Sequence, residues 1–78
     1  MRIHEFAIRN IGGLWEVRLD GSLRSGQPTQ MAALHHAQAL AQAAAIRGRQ
    51  SKILVFDSNG GNIEFPTIGP TGPVADVA

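Results

Sequence analysis

The sequence predicts an α+β domain: a small antiparallel sheet in the chain order β-β-α-β-β, with one long helix packed across one face. Three observations predict it. Residues 2–9 and 14–20 alternate in polarity on either side of "NIGG". Residues 30–47 are dominated by Ala, Gln, Leu and Met, strong helix formers, with a stripe at helical spacing. The apolar run "SKILVFDS" then leads into Asn59-Gly60, the strongest short hairpin signal in the chain.

In the first strand His4, Phe6 and Ile8 share a face, and Ile3, Glu5, Ala7 and Arg9 share the other. In the second, Trp15, Val17 and Leu19 lie opposite Glu16, Arg18 and Asp20. A hairpin turning through residues 11 and 12 pairs Ile8 with Trp15, Phe6 with Val17 and His4 with Leu19, and sets Glu5 across from Arg18. A shift by a full pleat changes these pairs and keeps the faces. A slip by one residue would put the only tryptophan among charges, so Trp15 reads as core.

"GSLRSGQP" breaks the alternation, and its glycines with Pro28 favour a connection over a third strand around residues 22–24. Thr29 is the expected N-cap, although Ala32 occupies the position where an acidic partner is usual. Ala33, Leu34, Ala37, Leu40, Ala41 and Ala44 form the inward stripe, small enough for a close approach to the sheet. Gly48 is the expected left-handed stop, with Arg47 and Arg49 beside the negative helix end.

A turn closed at Asn59-Gly60 pairs Phe56 with Ile63 and Leu54 with Phe65, which makes Leu54 and Phe56 core. Ile53 and Val55 then face the uncovered side of the sheet. After Pro66 the chain is rich in Gly and Pro without a period, so the expected domain covers residues 1–66 and residues 67–78 form an extended or disordered tail.

Composition narrows the function. Seventy-eight residues make one small domain with little surface to spare for a deep cleft. The absence of cysteine excludes disulfides and thiolate metal sites and fits a reducing compartment. A formal charge of +1 does not describe a chain built around a polyanion. There is no apolar run long enough to span a membrane, and "MRIHEFAIRN" is too mixed for a signal peptide. The expected location is the cytoplasm, away from membranes.

No motif specifies a reaction, cofactor or metal. His35 and His36 diverge on a helix and lack the i, i+4 spacing of a two-histidine zinc site. The serines sit by turns, where local hydrogen bonding explains them. "SNGGN" enters a strand, not a helix, and is no phosphate loop. "SLRSGQPT" leads into a helix N-terminus and carries Arg24, a better-placed anion contact.

The expected function is therefore non-enzymatic: contact with an unknown protein partner or self-association as a homodimer, through Ile53 and Val55 on the open sheet face. The alternative is weak nucleic-acid binding through a basic patch formed by Arg24, Arg47, Arg49 and Lys52. The sheet offers no exposed aromatic for base stacking on this reading, because Phe6, Trp15, Phe56 and Phe65 all fall on the core side.

Gly13, Trp15 and Val17, then Gly21, Arg24 and Thr29, the ladder Ala33, Ala37 and Ala41, and "NGGNI" with Gly61 before Ile63 resemble the DUF2188 family of small uncharacterised bacterial proteins. The resemblance spans about residues 3–69 and departs from the family pattern at Leu14 and Ala32. It implies a compact α+β domain and transfers no reaction, ligand or site residue.

Overall fold

The computed structural model describes residues 3–57 and 59–69. Along the chain run β1 (Ile3–Ile11), β2 (Leu14–Leu19), β3 (Ser22–Gln27), α1 (Gln30–Ile46), β4 (Gln50–Phe56) and β5 (Asn62–Glu64). The strands form one sheet in the spatial order β3-β2-β1-β4-β5, and the helix packs on one of its faces. The α+β class and the single helix across a sheet are as the sequence predicts. The sheet is mixed, however, and has one strand more.

The extra strand has a local cause. Asp20 (φ 50) and Gly21 (φ 89) both take left-handed backbone, which makes a tight hairpin turn between Leu19 and Ser22. "Asp-Gly" is itself a hairpin signal, and it converts the expected connection into β3. A bulge between Val17 and Arg18 sets Arg24 out of register, since Val17 faces Ser25 while Arg18 faces Leu23.

That strand also changes the sheet's polarity. With two strands before the helix, β4 would return antiparallel to β1. With three, the chain enters α1 from the opposite end, and β4 lies parallel to β1, with Phe6 beside Ile53 and Ile8 beside Val55. All other strand pairs are antiparallel.

The β1–β2 hairpin turns at Gly12 and Gly13, one position later than expected. Phe6 pairs with Leu19, Ile8 with Val17 and Asn10 with Trp15. This is a shift by a full pleat, so the faces stand. Trp15 is half-buried on the helix side and packs against the core.

The β4–β5 hairpin differs by a single residue. Asp57 and Gly61 close the turn, with Asp57 Oδ1 accepting the amides of Asn59 and Gly61, each at 2.9 Å. A Cβ on Gly61 would stand 3.1 Å from Asp57 Oδ2, a tight contact that a larger residue could make only if the carboxylate gave way by a few tenths of an ångström. Val55 consequently faces Ile63, and Phe56 faces Asn62. The strand's faces are inverted relative to the expectation: Ile53 and Val55 are buried, and Leu54 and Phe56 lie on the uncovered side.

The core is thus Phe6, Ile8, Val17, Ile53 and Val55 beneath Ala33, Ala37 and Ala41. Ala45 continues the stripe in place of the expected Ala44. Each large side chain buried here contributes about 1.5–3 kcal/mol. The helix starts as expected, with Thr29 Oγ1 accepting the Ala32 amide at 3.0 Å, and ends at Gly48 (φ 82).

Ile68 exchanges both backbone hydrogen bonds with Ser51 and packs against the core, so the sheet holds the chain beyond the expected limit at residue 66. Residues 70–78 of the expected tail lie outside the described residues.

Candidate functional site

Two surfaces carry the polar groups that the sequence singles out, one on each side of the sheet. The first is the face opposite the helix. Strand alternation and register place Leu23, Arg18, Ala7, Leu54 and Glu64 in one row across it, and Glu16, Arg9, Phe56 and Asn62 in the next. Ala7, Leu54 and Phe56 are half-buried by their neighbours. Arg9 lies over the Phe56 ring at 4.3 Å, Arg18 pairs with Glu16 at 3.0 Å, and Lys52 approaches Glu64 at 3.9 Å. Of these long side chains, Arg9 is the one laid over the apolar centre, on the Phe56 ring.

The rim of this face is more apolar. Ile3, Ile11, Leu14 and Leu23 are 46–55% exposed and all project to the open side. The other exposed large apolar side chains among the described residues are Met31, Ile46 and Ile63. Met31 and Ile63 meet beside Leu34 at the helix N-terminal end, on the opposite side of the sheet.

Ile53 and Val55, the residues expected to carry self-association, do not belong to this surface. They sit under the helix, because the turn closed by Asp57 and Gly61 shifts β5 by one residue. Leu54 and Phe56 take their place.

The second surface is a hollow of about 340 Å³ between the C-terminal half of α1 and the sheet. Phe6, Leu19, Leu40 and Ala44 supply apolar lining, and Arg24, Arg47 and Arg49 supply charge. The structure thus gathers three members of the expected basic patch. It separates the fourth, since Lys52 alternates onto the open face beside Glu64. Arg24 stands in β3 and reaches the helix's C-terminal end, so the anion contact expected at the helix N-terminus does not form.

His4 also lines this hollow, with Nδ1 2.8 Å from Asp20 Oδ2. An ionised carboxylate only accepts, so Nδ1 carries the proton and Nε2 is the remaining nitrogen. His35 is exposed on the helix and His36 is half-buried. Among the described residues, no group of three or more His, Asp or Glu is placed to hold a metal ion.

A wider crevice, about 910 Å³, opens at the sheet end where the two hairpins diverge from parallel β1 and β4. Arg9, Asn10, Trp15, Phe56 and Asp57 line it. Its charged groups are already engaged, Arg9 by Phe56 and Asp57 by the turn amides. Sequence reasoning missed both concavities, because each joins residues from strands whose neighbours depend on the β1–β4 pairing.

No helix among the described residues is long and apolar enough to cross a membrane. Comparison with models of protein families, with curated proteins and with solved structures finds no match to this chain.

Proposed function

We infer that the domain acts by self-association, two copies packing their open sheet faces together about a two-fold axis. The observation that carries this reading is the gathering of Ile3, Ile11, Leu14 and Leu23 around Ala7, Leu54 and Phe56 on the one sheet face without a helix. Charge supports a second copy as the occupant. Glu5, Glu16 and Glu64 balance Arg9, Arg18 and Lys52 on this face, so a patch meeting itself encounters no net repulsion.

Size sets the strength. Five strands about 4.8 Å apart give a face roughly 20 Å wide. A face that narrow offers at most about the usual share of 800 Å² per partner, which fits a reversible dimer. The reading keeps the DUF2188 resemblance, a cytoplasmic location and a non-enzymatic role as parts of the same proposal.

Sedimentation equilibrium of the full chain and of Phe56→Glu tests it. The wild type associates reversibly, and the variant stays folded and monomeric. A wild type that remains monomeric at near-millimolar concentration removes the reading. The rival, nucleic-acid contact, retains Arg24, Arg47 and Arg49 and loses Lys52. Phe56 does reach the open face, but beneath Arg9 and among as many acids as bases, a poor platform for stacked bases.

A further inference from the structure

The hollow at the helix end is unlike the rest of the surface in its charge. Arg18 and Lys52 have carboxylate partners, and Arg9 has Phe56. Among the described residues, Arg24, Arg47 and Arg49 have no ion-pair partner, and no carboxylate lines the hollow they share. A chain with a formal charge of only +1 thus concentrates positive charge at one point.

The helix end explains part of this. A helix C-terminus carries about −0.5 charge and stabilises nearby cations. Arg47 and Arg49 flank Gly48 and fit that role. They overcompensate it severalfold, however, and Arg24 comes from elsewhere. It is the residue that the β2–β3 bulge places out of register, so Arg24 and Ser25 both turn to the helix side. Bulges commonly re-aim a side chain in this way next to a functional site.

A second, independent observation lies in the wall. Ser51 lines the hollow, is fully buried, and its hydroxyl has no hydrogen-bond partner among the described residues. An unpartnered buried hydroxyl costs about 1–3 kcal/mol, and alanine would avoid that cost at this position. A polar ligand head that penetrates to the Ser51 wall of the hollow would give the hydroxyl a partner.

We propose that this hollow binds a small organic anion, a carboxylate or phosphate carried on a compact apolar body. The guanidinium groups receive the anionic head through charge-assisted hydrogen bonds. Leu19, Leu40 and Ala44, half-buried at its wall, receive the body. The volume of about 340 Å³ is at the small end of ligand pockets. A nucleic-acid strand needs a continuing basic track, and Lys52, which would extend one, is on the other face. The site is independent of the self-associating face, and a Phe56→Glu chain retains it.

The test is an amide-shift NMR titration of the full isotope-labelled chain with phenyl phosphate and with octanoate. Phenol and octanol serve as uncharged counterparts, and a short oligothymidylate as the nucleic-acid arm. At least one anion saturates with a dissociation constant of about 1 mM or tighter, moving the amides around Arg24, Arg47, Arg49 and Ser51. The two anions distinguish a phosphate from a carboxylate head. Arg24→Gln and Arg47→Gln each weaken binding about tenfold, whereas Arg9→Gln, with the same loss of charge, leaves it unchanged. Ser51→Ala weakens binding without lowering the melting temperature, which a purely structural serine would not do.

Four results overturn the proposal. They are no saturable response to either anion, equal binding of the uncharged counterparts, unchanged affinity in the Arg24 and Arg47 variants, and a response to the oligonucleotide alone.

Discussion

The two faces of the sheet are built from the same strands and held by different forces. On the helix side Phe6, Ile8, Val17, Ile53 and Val55 are sealed beneath alanines that let α1 approach closely. On the other side Ala7, Leu54 and Phe56 are only half-covered, and the cover is a layer of charged side chains. One face supplies the folding energy, and the other is the one we propose exchanges its cover for a second copy. In a chain of this length the total margin is about 4–12 kcal/mol, so the side chains sealed on the first face cannot be given up to an interface.

The largest effect that separates the faces comes from adjacent residues. Val55→Glu buries a charge beneath the helix and costs more than about 4 kcal/mol, enough to remove or nearly remove the cooperative melt. Phe56→Glu, one residue on, leaves a normal melt and abolishes association. If both variants unfold, or neither does, the faces are not distinct.

Truncation gives the same contrast on a smaller scale. Ile53→Ala costs about 2–4 kcal/mol by chemical denaturation, and Leu54→Ala below about 1 kcal/mol in the monomer. Ala37→Leu sharpens the account of the helix contact. It adds methylenes where the helix meets the sheet and costs about 1–3 kcal/mol, while Gln42→Leu on the exposed side is neutral within about 0.5 kcal/mol. Salt has the smallest effect. Raising ionic strength loosens the part-buried pair of Arg18 with Glu16 and the more open pair of Lys52 with Glu64, and shifts stability by less than about 1 kcal/mol.

The two end hairpins show what the sequence could and could not convey. In β1–β2 the register differs from expectation by two residues, and every side chain still points the right way, because the period of a strand is two. Trp15 therefore stays on the core side. In β4–β5 the difference is one residue, and the core set changes from Leu54 and Phe56 to Ile53 and Val55. "KILVF" has no alternation to fix its faces, so they depended on the turn alone. Asn59-Gly60 suggested a two-residue turn, whereas the Asp57 carboxylate selects a longer one by binding two amides.

The same holds for the sites. Arg47 and Arg49 are near neighbours in sequence, and their closeness was legible. Arg24 joins them only because Asp20-Gly21 makes β3 and the bulge turns it to the helix side. Lys52 was one residue from the patch by parity, and alternation placed it on the opposite face. Ser51, which no motif marks, is visible only once burial leaves its hydroxyl without a partner.

Because the chain has no cysteine, single thiols can report both faces without background. The most direct measurement is the rate of thiol labelling in Val55→Cys and Phe56→Cys chains, compared across protein concentration. The account predicts that the Phe56→Cys thiol reacts freely when dilute and becomes protected as concentration rises, while the Val55→Cys thiol is protected throughout. A Val55→Cys thiol as reactive as its neighbour, or a Phe56→Cys rate indifferent to concentration, would contradict it.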